Sequence, residues 1–259
     1  MTVYFIGAGP GDPELITVKG RRLIGECPLV LYAGSLVPKA IVLTANPTAK
    51  IVNTADLRLD QIIDHLRTAH EQGLDVARVH TGDPALYGAI GEQIRELEKL
   101  GIPYEVVPGV TAAFAGAAML RRELTLPGVS QTLILTRHAG KTPMPEGQSL
   151  PELAQHQATM AIYLSVDQLP EIVAELTPHY GADCPAAVLH RVSWPDQDGV
   201  VGTLADITAQ VEAKGFTRTA LILVGWALQP EGFPASYLYS AEHVQCYRVP
   251  NSEPDIDQH

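Results

Sequence analysis

Cysteine is scarce in this chain: Cys27, Cys184 and Cys246 stand far apart, and none belongs to a CxxC pair. That spacing excludes a disulfide scaffold and a zinc site built on paired thiols. It leaves the cysteines as small apolar or surface residues of a reducing compartment. Positive charge is also short, with 18 basic residues against 29 acidic ones and a net charge of −11. Nucleic-acid binding needs clustered Lys and Arg to meet phosphates, so nucleic acid is not an expected partner. No apolar run approaches the ~18 residues of a membrane-spanning helix. The start, MTVYFIGAG, lacks the basic opening of a signal peptide. His65 and His70 lie five apart on a polar helical face, the wrong spacing for joint metal ligation. A soluble, cytoplasmic, metal-free globular protein is the expectation.

What is present is ample apolar material: 46% hydrophobic residues over 259 positions, enough for one large domain or two smaller ones. Short apolar or β-branched runs at 3–6, 29–32, 50–53, 76–80 and 104–107 read as strands. Helical periods lie between some of them. Ile62, Ile63, Leu66 and Ala69 make one face, with Asp60 as the expected N-cap, and Leu86, Ile90, Ile94 and Leu97 make another, ending before Gly101. Near-continuous apolar strands alternating with helices point to a parallel sheet covered on both faces. Residues 111–120, TAAFAGAAML, suit a tightly packed helix. The polar stretch RRELTLPGVS at 121–130 is the expected linker. Strands are expected again at 132–136, 160–164, 186–190 and 220–225, with helices at 167–176 and about 204–213. The Pro/Gly-rich loop 139–151 is long enough to be functional. The fold class is therefore α/β: two α/β domains with mainly parallel sheets, residues 1–120 and 131–248, and a disordered tail at 249–259.

Three glycine-bearing turns carry the chemistry. FIGAGPGDPELIT, residues 5–17, offers Gly7 and Gly9 to a dinucleotide fingerprint, but Asp12 stands where a third glycine is needed. The second strand also ends LYAGS, without an acidic ribose ligand, so a nicotinamide site is not expected. In TGDPALYG, residues 81–88, Asp83 and Pro84 read as a helix start, the carboxylate capping free N–H groups. Thr81-Gly82 just before it leaves the backbone open to close approach. In VVPGVTAAFAGAA, residues 106–118, Pro108-Gly109 ends a strand and Thr111 is placed to cap a helix. All three turns fall at carboxyl ends of strands, the edge on which open parallel sheets bind ligands. Bare turns on one rim imply a ligand between them.

In this order and at these spacings, GAGPGDPELIT, TGDPALYG and VVPGVTAA resemble the tetrapyrrole (corrin and sirohaem) methylases. The resemblance runs over residues 1–228 and takes in MAIYLSVDQ and ALILVG. LYAGSLVP at 31–38, with the later LTRHAGKTPMPEGQSL, is similar to the branch that methylates precorrin-4 at ring carbon C11. In the uroporphyrinogen-methylating branch an Asp-Arg pair follows the equivalent tyrosine. Here Tyr32 is followed by Ala33-Gly34-Ser35, so no general base carries over at position 33.

The resemblance implies two α/β domains, a homodimer, and S-adenosylmethionine held in an interdomain cleft, leaving as S-adenosylhomocysteine. Carried over motif by motif, it places Pro10, Thr81, Gly82, Asp83, Leu86, Thr111 and Ala112 around the cofactor from the first domain. Leu164, Val192, Ala220 and Leu221 close on it from the second. It also implies a tetrapyrrole substrate rich in acetate and propionate groups. For that substrate the candidates are Ser35 and Leu36 beside the macrocycle, and Arg137, His138 and Lys141 for its carboxylates. His190-Arg191 reads as rim decoration. No catalytic residue is identified. The alternatives are methylation of another precorrin or of uroporphyrinogen III, and a diphthine synthase or ribosomal-RNA methylase of the same fold, whose macromolecular substrates would favour a basic rim. From a different class comes a non-catalytic nucleotide-binding module.

Overall fold

The structure, a computed structural model, describes residues 1–140, 142–230 and 232–240, with Ser35 and Tyr239 described for their backbone alone. Lys141, the end of the expected second domain at 241–248, the expected tail at 249–259 and Cys246 lie outside the described residues.

The first sheet contains β1 (Val3–Gly7), β2 (Leu29–Tyr32), β3 (Lys50–Asn53), β4 (Val76–His80) and β5 (Tyr104–Val107). Its order is β3-β2-β4-β1-β5 and every pairing is parallel. Side chains alternate across a strand, so each face needs its own cover. Ile6, Val30, Ala77 and Val79 pack under α1 (Val18–Glu26) and the short α2 (Lys39–Val42). Val3, Phe5, Leu31 and Val76 pack under α3 (Leu59–Glu71) and α4 (Ile90–Leu100). Leu66, Leu97 and Phe5 are fully buried, each worth ~1.5–3 kcal/mol of apolar burial.

Two boundaries differ from the sequence reading. Arg58, not Asp60, precedes α3: its N–H donates to Gln61 Oε1 at 3.0 Å, while Asp60 sits in the first turn and pairs with the Arg58 guanidinium at 2.8 Å. A carboxylate there still complements the helix dipole, which is why the signal misled by two positions. Asp83-Pro84 does not open α4. It opens an isolated turn, and α4 starts only at Ile90, after Tyr87 and Ala89 adopt left-handed conformations. Leu86 therefore lies outside the helix.

Helix α5 (Ala112–Leu120) crosses to the second sheet. That sheet contains β6 (Leu133–Arg137), β7 (Thr159–Tyr163), β8 (Pro185–His190), β9 (Asp198–Thr203) and β10 (Ala220–Val224) in the order β6-β7-β10-β8-β9. Only β6–β7 is parallel here, so over both sheets five of eight pairings are parallel and the antiparallel ones gather at one end. α5 covers one face: Gly116 lies so close to the sheet that a Cβ on it would fall 2.9 Å from Leu189 Cδ1. The other face lies under α6 (Leu150–Ala154), α7 (Leu169–Tyr180) and α8 (Ile207–Lys214). The 121–130 stretch is ordered and tied down: Thr159 Oγ1 donates to the Leu124 carbonyl at 2.8 Å and Arg122 Nε to that of Leu228 at 2.6 Å. Cys27 and Cys184 are buried, and burial pushes both thiols up to about 12, as expected of inert apolar cysteines.

Candidate functional site

Strands β4, β1 and β5 are neighbours in the first sheet, so the turns that follow them emerge side by side. Gly9 and Gly82 exchange backbone hydrogen bonds, at 3.2 and 2.8 Å, which zips the first turn to the second. Gly7 and Gly109 touch backbone to backbone: a Cβ on Gly7 would lie 2.6 Å from Gly109 Cα and from the Gly82 carbonyl oxygen. Asp83 completes the assembly. Its Oδ1 accepts the N–H of Ala85 at 2.8 Å and its Oδ2 that of Gly109 at 2.9 Å, joining second turn to third. The carboxylate thus caps a turn and clamps a loop instead of starting a helix.

Gly82 is different from its neighbours. Its φ is +59°, and a Cβ added there would meet nothing closer than 3.9 Å. The open side belongs to a cavity of about 390 Å³ between the two sheets, within the range of small-ligand sites. Pro10, Thr81, Gly82, Asp83, Leu86, Thr111 and Ala112 line it from the first sheet's rim, and Leu164, Val192, Ala220 and Leu221 face them from the second. All of the residues named for a cofactor thus surround one space.

The cavity is closed by contacts that the sequence did not announce. Thr111 precedes α5 but makes no capping bond with its own side chain. Instead Tyr163, the last residue of β7, brings its hydroxyl to Thr111 Oγ1 at 2.7 Å and accepts the Ala113 N–H at 2.9 Å. Tyr87 lies beside Tyr163, ring centroids 5.6 Å apart. Burial holds both phenols above the ordinary tyrosine range, so neither ionises near neutral pH. Across the cavity, Trp194 Nε1 donates to the Pro10 carbonyl at 2.9 Å, and Ser193 Oγ accepts the Asp12 N–H at 2.9 Å. Arg191 is more than rim decoration: it lines the cavity, lies 4.2 Å from the Trp194 ring centroid and pairs with Asp196 at 2.8 Å.

Backbone strain concentrates here. Tyr87, Leu164, Arg191 and Thr219 have φ of 55°, 58°, 48° and 55°, and all four line the cavity. Such conformations cost a non-glycine residue about 1–3 kcal/mol and persist where the surroundings over-determine them, commonly at ligand sites. Leu164 was reached through the resemblance of MAIYLSVDQ, whereas for Tyr163 beside it the sequence offered only the end of an apolar run. Trp194 and Thr219 had none.

The substrate candidates are less unified. Leu36 lines the cavity, and Ser35 lies with it in the short turn Gly34–Leu36. Arg137 donates to the carbonyls of His138, Thr142 and Pro143 at 3.1, 2.9 and 3.2 Å. His138 turns toward α7, with Nδ1 against Gln168 Oε1 and Nε2 3.4 Å from Glu175. Neither is among the residues lining the cavity.

Under the second turn, Arg78 is buried and bonded to neutral groups, Gln93 Oε1 at 3.0 Å and Thr54 Oγ1 at 2.9 Å. Two residues on, His80 Nε2 has no hydrogen-bond partner among the described residues. Burial, helped by Arg78, pulls the imidazole down to about 3, so it is neutral. Among the described residues no group of three metal-ligating side chains comes together, and no helix is long and apolar enough to cross a membrane.

The family model of tetrapyrrole (corrin/porphyrin) methylases matches residues 2–208. A precorrin-4 C(11)-methyltransferase of Pseudomonas aeruginosa is 66% identical over 248 residues, 96% of this chain and 99% of that protein. Among solved structures, a cobalt precorrin-4 methyltransferase matches with a TM-score of 0.86 at 43% identity, covering 88% of this chain and 96% of its own. A uroporphyrin-III C-methyl transferase from Thermus thermophilus, complexed with S-adenosylhomocysteine, matches with a TM-score of 0.72 at 30% identity, over 88% of this chain and 99% of that one.

Proposed function

The chain belongs to the tetrapyrrole (corrin/porphyrin) methylases, and from that footing we propose how its cavity serves the reaction. The enzyme is an S-adenosylmethionine-dependent C-methyltransferase that methylates precorrin-4 at C11, giving precorrin-5, in cobalamin biosynthesis. The cavity between the two sheets is the seat of the methyl donor. The observation that carries this reading is the open side of Gly82, facing a space into which all three motif turns and four residues of the second sheet converge.

When bound, the donor supplies a sulfonium methyl open to in-line attack by an electron-rich pyrrole carbon. The chain's own residues position. Gly82 brings bare backbone to the seat, the close Gly7–Gly109 contact and the Gly9–Gly82 bonds hold the turns together behind it, and Asp83 fixes two of the three turns against each other. Leu86, Leu164, Val192 and Leu221 make the walls apolar, which suits a step in which positive charge leaves sulfur. The Trp194–Pro10 and Tyr163–Ala113 bonds hold the second sheet's loops over the first sheet's rim. Holding two reactants at attack distance contributes roughly 7–11 kcal/mol. Among the described cavity-lining residues the one carboxylate is Asp83, already engaged with two N–H groups, so positioning is the main contribution.

The macrocycle lies at the mouth, beside Ser35 and Leu36. The chain acts as a homodimer, and with a net charge of −11 it takes no nucleic acid. Mass analysis of the product from precorrin-4, with calorimetry of S-adenosylhomocysteine and sedimentation of the apo chain, tests these statements. An unmethylated product pool, or no heat of binding, would overturn the reading.

A further inference from the structure

Resting on that reading, we infer that Arg218 is a specificity residue that recognises a carboxylate of the ligand at the cavity mouth. The substrate carries many carboxylates and the chain carries −11, so the overall field opposes its approach. Local cations must reverse that sign at the mouth. Among the described residues that line the cavity the cations are Arg191 and Arg218. Arg191 is committed, paired with Asp196 and lying over Trp194. Arg137 outside the cavity is committed too, to three carbonyl oxygens. Arg218 is exposed and forms no ion pair or side-chain hydrogen bond among the described residues.

Its placement is held by the fold. The Arg191 N–H donates to the Thr219 carbonyl at 3.0 Å, so the two arginines stand on adjacent strand ends, after β8 and before β10. Thr219 keeps a φ of 55°, a strained turn that the surrounding sheet must maintain. A guanidinium presents a planar fork that fits a carboxylate through two parallel N–H bonds, and an exposed, unpaired one is available for this. The carboxylate belongs either to an acetate or propionate arm of the macrocycle or to the amino-acid end of the methyl donor.

The test uses the full chain, Arg218→Gln and Arg218→Lys, with uroporphyrin III as a stable polycarboxylate tetrapyrrole probe read by quenching of tryptophan fluorescence. S-adenosylhomocysteine is titrated calorimetrically in parallel. Arg218→Gln is expected to weaken porphyrin binding about tenfold, to flatten its salt dependence, and to leave the sulfur ligand within about twofold. Arg218→Lys recovers part of the loss, because a point charge lacks the fork. Loss confined to S-adenosylhomocysteine assigns the carboxylate to the methyl donor. Unchanged binding of both ligands, or a wild-type chain that ignores the porphyrin while Arg218→Gln keeps its affinity for S-adenosylhomocysteine, overturns the inference. A wild-type chain that binds the porphyrin through Arg218 yet fails to methylate precorrin-4 would sink the assigned activity and leave this inference standing.

Discussion

Asp83 and Gly109 are 26 residues apart, yet the carboxylate of one accepts the backbone N–H of the other at 2.9 Å. The bond turns two loops into one surface, and the second oxygen holds Ala85 at 2.8 Å. Asp83→Ala removes both acceptors and is expected to cost about 1–2 kcal/mol in urea unfolding. It should also weaken S-adenosylhomocysteine binding in calorimetry. Asp83→Asn keeps one acceptor oxygen and should fall between the two.

Gly82 and Gly109 should fail differently when enlarged. Gly82→Ala points its side chain into open space, so it should weaken ligand binding by about tenfold or more, with a loss of about 1 kcal/mol of stability from its φ of +59°. Gly109→Ala meets backbone: its Cβ would run into the Gly82 carbonyl and fall 2.8 Å from Gly7 Cα. It should therefore destabilise the chain by about 1–3 kcal/mol, as overpacking does. Thermal melts beside ligand titrations separate the two patterns, and matching patterns would contradict the seat described here.

Tyr163→Phe deletes one oxygen and leaves the Ala113 N–H and Thr111 hydroxyl to find new partners. Ala113 is fully buried, so the unmet donor should cost about 1–3 kcal/mol. Amide exchange at Ala113 should rise, and affinity for S-adenosylhomocysteine should fall through the loosened start of α5. Unaltered exchange would show that the hydroxyl is not the cap.

His80 sets a pH dependence. The folded imidazole is held down to about 3 by burial and by Arg78, whereas an unfolded histidine titrates normally near 6.5. Between those values the unfolded chain binds a proton that the folded chain refuses, so stability falls as pH drops from 6.5 toward 3. The slope has an upper bound of about 1.4 kcal/mol per pH unit for this one group. Above pH 6.5 the contribution is constant. His80→Leu should flatten that acid limb in urea titrations at a series of pH values, and an unchanged limb would refute the assignment.

The first sheet was legible because its central strands 29–32 and 76–80 are buried on both faces, and its edge strands 50–53 and 104–107, though largely exposed, keep short β-branched runs; all four stand as read. Strand β9 was missed because DGVVGT carries two glycines and lies at a sheet edge, with Val201 exposed. Helix α1 was missed as well, its period interrupted by Gly20 and Gly25. The cofactor residues came from motif order and reached one cavity. Arg137 and His138 looked suitable by charge alone, but charge does not reveal that carbonyls and α7 already occupy them. Tyr163 and Trp194 act across the two halves, and pairings over such sequence distances leave no local pattern to read.

Gly7 and Gly109 meet through bare main chain beside the Gly82 carbonyl, so neither of the two can accept a larger residue without displacing a neighbouring loop, whereas Gly82 has room on its open side. That joint between the loops is frozen against gradual change. Change is easier at exposed side chains that line the cavity, such as Leu164 and Arg218 on the facing wall. The pocket can therefore change its lining without loosening the joint that sets its shape.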